Sequence, residues 1–219
     1  MILAIYGTGG TGREVFELIS ESEELSSRWE SIIFVDDFNC DRELYGAPVF
    51  SFSELAERFD PASVEFVIAV GEPTTRESLF VKVDSLGFGF ATVVHPNCFV
   101  APSASLGRGV VVKMQSIVSS EAAVGDNVFL QANVIVGHDV HIGAHSQISA
   151  FSHIAGGAHL GSRCYLGVRA SVREECEMGD DALLAMGAVV MEKRVPARVL
   201  AAGNPAKYVR RKADSKVFS

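Results

Sequence analysis

The chain is poor in several features that would assign it to familiar classes. No apolar run approaches the roughly 20 residues that a helical membrane span requires. Met1 leads straight into a strand-like segment, without the basic and apolar regions of a secretory signal, so a cytoplasmic protein is expected. Cysteine is scarce, at four residues in 219. Cys40 falls in an expected loop, and Cys98, Cys164 and Cys176 occupy a slim, inward position described below, where they serve as small hydrophobes. A disulfide framework is therefore not expected, and no Cys/His spacing resembles a zinc site. Positive charge is also short, with 19 Lys and Arg against 27 Asp and Glu and a net charge of −8, which argues against general nucleic-acid binding. The basic residues that exist are concentrated: Lys193, Arg194, Arg198, Lys207, Arg210, Arg211 and Lys212 follow one another without an intervening acid. Such a run is either a solvated tail or a local site for a polyphosphate ligand.

The chain is rich in one repeat. Aliphatic residues recur every six positions, beginning Val94, Val100, Leu106, Val112 and ending Leu184, Val190. Four positions after each stands a small or slim residue, as at Ala104, Val110, Ser116 and Ala122. A helix would space its apolar face at three and four, so a strict period of six excludes one. It suits short strands in which the slim residue and the next aliphatic both point inward, with a tight turn between strands. Three strands close an 18-residue triangular coil, and stacked coils form a solenoid. Sorting the outward residues by 18 gives three faces: one with Phe99, Ile117, Ile135 and His153, one with Val111, Phe129, Gln147 and Tyr165, and one with Ser105, Ala123, His141, His159 and Glu177. The first two are largely apolar. Extended apolar faces imply a partner, and two adjoining ones suit a closed ring, so a homotrimer is expected.

Upstream, residues 2–6 read as a buried strand, followed by a glycine loop (Gly7, Gly9, Gly10, Gly12), a helix over 13–24, and a strand over 32–35 ending in Asp36 and Asp37. This order belongs to nucleotide-binding units: glycines admit the phosphate, the helix start offers N–H groups, and an acid accepts from ribose or base. Glycine turns also serve tight packing, so the pattern alone leaves both readings open. Further helices over 53–58 and 75–86 and strands over 64–70 and 90–94 complete a small α/β unit, with Gly71 at the end of the third strand. Nothing downstream resembles a substrate domain for hydride transfer.

Among six histidines, His138 stands apart. It lies at a coil corner with Asp139 directly following, and Gly156, 18 residues on, is stacked beside it. An imidazole that a carboxylate can orient, next to a backbone N–H unshielded by a side chain, is what acyl transfer needs. By contrast, His141 and His159 should stack as a solvated ladder on the polar face, His153 should sit in an interface, His95 should be structural at the domain joint, and His145 falls in a turn with no evident partner.

The hexapeptide coils, the run Gly137-His138-Asp139-Val140-His141-Ile142-Gly143 and the closing Gly203-Asn204-Pro205-Ala206-Lys207 resemble the left-handed β-helix acyltransferases. With the glycine loop and Asp36-Asp37, the chain is similar over essentially its whole length to the family of sialic-acid O-acetyltransferases and nucleotide-aminosugar N-acetyltransferases of bacterial glycan assembly. The resemblance implies a Rossmann-like α/β domain over 1–93, a left-handed parallel β-helix over 94–195 and a basic tail over 196–219. The left hand comes from the resemblance, since crossover rules favour the opposite one. It also implies a trimer with acetyl-CoA between neighbouring solenoids and no metal. His138 would be the general base and Asp139 its acid partner. The Gly156 amide would hold the thioester oxygen, Val168 and Met186 would line the CoA arm, and Lys207 would meet its phosphates. Gly9, Gly10, Thr11, Asp36, Asp37 and Gly71 would hold the nucleotide-sugar. Gln147 stands where family members often carry a cofactor-contacting His; Gln131 and Thr11 also depart from frequent Asn and His residues. The expected reaction is direct acetyl transfer to the amine of a nucleotide-linked aminosugar, such as a UDP-4-amino-4,6-dideoxy sugar. Transfer to a sialic-acid hydroxyl, or a non-catalytic assembly solenoid, are the alternatives.

Overall fold

The near-continuous apolar run Ile2–Tyr6 makes a strand (β1) suited to burial on both faces, and it forms the centre of a parallel sheet between β2 (Ser31–Val35) and β5 (Val64–Ile68). A computed structural model describes residues 1–39, 42–211 and 217 of the chain. With β3 (Glu43–Leu44), β4 (Ala47–Phe50) and β6 (Gly89–Phe90), the sheet order is β3-β4-β2-β1-β5-β6. Helix α1 (Gly10–Ser20) starts and ends earlier than expected, because the Ser22 side chain accepts from the Leu25 amide and caps a separate turn, α2 (Glu23–Ser26). Helix α3 (Phe52–Arg58) opens on a capping box between Ser51 and Glu54. Helix α4 (Pro73–Asp84) begins on a proline, whose missing N–H costs nothing in a first turn. The single strand expected over 90–94 is divided between β6 and the first coil strand, Val93–Val94.

From Val93 onward the backbone is a parallel β-helix of two-residue strands on three faces. The first face runs from Val93–Val94 through Gln147–Ile148 to Leu183–Leu184, and the second from Phe99–Val100 through Ile135–Val136 to Val189–Val190. The third runs from Ser105–Leu106 through His141–Ile142 to Arg194–Val195. Partners lie 18 residues apart, as in Ile135↔His153 and His141↔His159, until the last rung, where Glu177↔Arg194 and Leu183↔Leu200 are 17 apart. Both inward positions are buried, from Val110 and Val112 to Ala188 and Val190. From Gly109 onward most turns hold one corner residue in a left-handed conformation, including Asn127 (φ 56), Asp139 (φ 57) and Phe151 (φ 61). The coils continue beyond the expected end. Val199–Ala202 joins the first face by pairing Leu183↔Leu200, and Lys207–Arg211 folds back antiparallel on it, so much of the segment expected as a tail caps the β-helix. Cys40 and Lys212 lie outside the described residues.

The lower rungs of the first face are not available to a second copy, contrary to the expectation of two exposed apolar faces. Its Val111 and Phe129 are fully buried in one core with Leu3, Val15 and Trp29 of the α/β domain. Ion pairs flank this contact at Lys113–Glu14 (2.7 Å), Arg163–Glu77 (2.9 Å) and Arg108–Asp84 (2.9 Å). At its centre is Arg76 of α4, which has no exposed surface. Its Nη1 donates to the Ile68 and Val70 carbonyls (2.6 and 3.0 Å), and its Nη2 to the Asn127 carbonyl and side-chain oxygens (2.5 and 2.6 Å). Burial pushes the guanidinium down to about 9. His145, expected to lack a partner, has one. The Asn127 amide can only donate, so His145 Nδ1 accepts from it at 3.0 Å, with the ring edge-on to Phe80.

Replacing Arg76 by Met leaves several buried carbonyls without donors, at about 1–3 kcal/mol each. A loss of at least about 2 kcal/mol in urea unfolding is expected. His145 supplies a pH dependence. Burial lowers its pKa; the nearby Arg76 and Arg163 add to this, and Glu77 and Asp126 oppose it. Its contribution is therefore complete above the unfolded value of about 6.5 and lost as pH falls through the lower folded value. Unfolding midpoints should drop on acidification from pH 7, with a flatter profile for His145→Gln.

Candidate active-site edge and nucleotide crevice

Two of the loop glycines serve packing and two face open space. Gly7 has φ 118, and a Cβ there would meet the Ala69 carbonyl oxygen at 2.8 Å, while a Cβ at Gly12 would strike the Gly7 carbonyl. A Cβ at Gly9 or Gly10 would meet nothing within 4 Å. Gly9 is the N-cap of α1 and supplies no side-chain cap, so the first-turn amides face the crevice with the positive end of the helix dipole. Thr11 and Gly71 are half-buried at the same carboxyl end of the sheet, where open α/β folds bind ligands.

Asp36 and Asp37 are here too, but largely occupied by the chain. Asp36 Oδ2 accepts from the Thr8 amide (3.0 Å) and hydroxyl (2.7 Å), and its Oδ1 from the amides of Phe38 (2.9 Å) and Asn39 (3.1 Å). Asp37 Oδ2 accepts from Tyr6 (2.6 Å) and Lys82 (2.7 Å), and its Oδ1 from the Phe52 amide (2.9 Å). Burial works to raise both carboxyls, but these hydrogen bonds outweigh it and hold both below the usual range. Beneath them lies a hollow of about 370 Å³ lined by Phe38, Arg42, Val49, Phe50, Ser51 and Glu54.

The second cluster is on the β-helix, at the corner between the second and third faces. Asp139, in its left-handed conformation, places Oδ2 at 2.7 Å from His138 Nδ1. A carboxylate accepts, so Nδ1 is the donor, and in the neutral ring Nε2 presents its lone pair. The ring lies over Gly156, where a Cβ would come within 2.5 Å of Nε2. The next residue anchors the pair, with the Gly157 amide donating to the His138 carbonyl at 2.8 Å. Among the described residues, the Gly156 N–H enters none of the ladder's hydrogen bonds. The His138 side chain is 72% exposed.

The other expected cofactor residues lie elsewhere on the same prism. Gln147 is buried on the first face, and its Oε1 meets no donor among the described residues. Val168 and Met186 lie at the corner between the first and second faces, Met186 being 75% exposed. Lys207 is exposed at the start of the final strand. The second face separates these residues from His138, and it is apolar and open, with Phe99, Ile117 and Ile135 exposed. His141 and His159 stack as expected, centroids 4.5 Å apart and 7° from parallel, and no metal-binding group occurs among the described residues. No described helix is long and apolar enough to cross a membrane. Sequence reasoning missed Thr8 and Lys82, whose positions depend on contacts 28 and 45 residues along the chain, and Phe38, which a local turn on Asp36 presents.

The glycine roles separate experimentally. Gly12→Ala should lower stability by about 1–3 kcal/mol, the usual cost of overpacking, whereas Gly10→Ala should leave the thermal midpoint unchanged.

Comparison with known proteins agrees with both halves. Residues 2–83 match the PglD N-terminal domain family, and residues 121–156 match the bacterial transferase hexapeptide family of six repeats. The acetyltransferase domain of PglB from Neisseria gonorrhoeae is 29% identical, covering 95% of this chain and 99% of that one with a TM-score of 0.86, and has also been solved with acetyl coenzyme A. PerB from Caulobacter crescentus, solved with CoA and GDP-perosamine, is 29% identical over 95% of this chain and 97% of its own, with a TM-score of 0.85. A UDP-N-acetylbacillosamine N-acetyltransferase of Bacillus subtilis is 35% identical over 117 residues, a match spanning half of each chain.

Proposed function

We infer the activity from a family premise: the chain belongs to the hexapeptide-repeat acetyltransferases of glycan biosynthesis that carry a PglD N-terminal domain. We propose that it transfers acetyl from acetyl-CoA to the amine of a nucleotide-linked aminosugar. The carrying observation is the His138–Asp139 pair set against Gly156, whose N–H is unspent.

In this reading the acceptor nitrogen attacks the thioester carbonyl carbon while His138 Nε2 takes its proton. Asp139 holds the imidazole in the required tautomer and balances the imidazolium. The Gly156 N–H donates to the oxyanion, positioned for the charge that develops there. Collapse of the tetrahedral intermediate breaks the carbon–sulfur bond, and the imidazolium returns the proton to the departing thiolate of CoA. Val168 and Met186 line the CoA arm and Lys207 meets its phosphates, whereas Gln147, buried on the first face, stands away from it. Gly9, Gly10, Thr11 and Gly71 receive the nucleotide-sugar.

In this reading the site is shared between several copies. The α/β domain rests on the first face, and the His138 corner is the one opposite that face. A nucleotide-sugar held in the crevice is therefore best placed to reach the His138 of a neighbour. The open apolar second face would be covered in a homotrimer, in which dissimilar surfaces meet and the rotation closes.

His138→Ala should lower kcat by roughly 10²–10⁴, the usual scale of general-base catalysis. Gly156→Ala should fold normally but lose about 10²-fold, because the methyl displaces the imidazole. Thiol release from acetyl-CoA, assayed with nucleotide-aminosugars and with free sialic acid, tests the acceptor class; turnover with the latter alone refutes amine transfer. Light scattering should give three copies, and a stable monomer removes the shared site.

A further inference from the structure

The nucleotide-sugar reading leaves one group at the crevice unexplained. Phe38 is 95% exposed, the most exposed large apolar side chain among the described residues. It lies in the turn after β2, on the α/β domain and not on the second face of the β-helix. The turn is fixed, since Asp36 Oδ1 accepts from the amides of Phe38 and Asn39. Beside the ring is the hollow of about 370 Å³, where Val49 and Phe50 supply apolar surface. Its size falls within the roughly 300–1,000 Å³ of small-molecule sites.

The acids at this position are poorly placed to read the hydrogen-bonding edge of a base. Asp36 already accepts four hydrogen bonds from the chain, filling the about four lone-pair directions of a carboxylate. Asp37 accepts from Tyr6, Lys82 and the Phe52 amide. Of the other polar groups lining the hollow, Ser51 and Glu54 are engaged with each other in the capping box and Arg42 donates to Glu54 at 3.2 Å, so the flat aromatic ring beside Val49 and Phe50 is what remains.

We infer that Phe38 is the platform on which the nucleobase stacks, so that the base is held by its face and not by its edge. This rests on the nucleotide-sugar reading above and refines it. Every base has a π-face, so the crevice takes uracil and guanine nucleotides alike.

Calorimetry of the full chain with UDP and with GDP tests this. The two dissociation constants should agree within about tenfold, that is within 1.4 kcal/mol. Phe38→Ala should weaken both by roughly 5- to 150-fold, the range of base–aromatic stacking. Phe38→Tyr should restore binding, while Phe38→Leu, apolar but without a π-face, should not. In turnover, Phe38→Ala should raise KM for the nucleotide-sugar and leave kcat and the KM for acetyl-CoA unchanged. Wild-type discrimination beyond tenfold, a Phe38→Ala loss confined to one base, or full binding by Phe38→Leu would each overturn the inference. If these fail while His138→Ala still lowers kcat as stated above, acetyl transfer stands without the platform. A wild-type chain that binds neither nucleotide sinks both.

Discussion

The ladder of backbone hydrogen bonds between rungs is the constraint on which the rest depends. Two-residue strands have no independent stability, and each persists only because the rung 18 residues away completes its bonding. At the proposed active edge, the Gly137 amide donates to the Ile154 carbonyl and the Gly157 amide to the His138 carbonyl, both at 2.8 Å. These bonds bring an imidazole and a bare backbone amide from separate coils to one spot. One residue inserted between 138 and 156 would rotate the glycine away from the ring without removing either group.

A second constraint fixes where the crevice sits on the prism. Arg76 carries its charge into a fully buried joint and meets only neutral oxygens. Such a group is tolerated only where nearly every N–H finds an acceptor. Asn127 meets that need from a corner residue in left-handed conformation, and at the same time engages His145. Packing specificity at this point comes from polar groups, with the apolar contacts of Val111 and Phe129 beside it.

Much of this was legible in the sequence because the β-helix is periodic. The inward pairs, the three faces and the adjacency of His138 and Gly156 follow from counting by six and eighteen. The glycine loop and the acid pair were legible as well, but the partners of those acids were not. Asp37 is met by Tyr6 and Lys82, respectively 31 and 45 residues away in the chain. Phe129 was read as outward and apolar, which is correct, yet no periodicity tells whether a copy or the chain's own domain covers it. No periodicity marks Arg76 and Asn127, since their burial arises only when two domains meet. Helix ends shifted for local reasons, such as the Ser22 cap that divides α1 from α2.

The upper end of the β-helix has a consequence for assembly. A solenoid finished with a bare parallel rung would offer its unpaired backbone to the base of another molecule, and such edges promote fibre growth. Here Lys207–Arg211 runs antiparallel along Val199–Ala202, while Gly203 and Ala206 bond to Val189 at the top of the second face. The reversed strand presents a hydrogen-bond pattern that a parallel newcomer cannot continue. At the top of the first face, addition of a further parallel rung is thereby disfavoured.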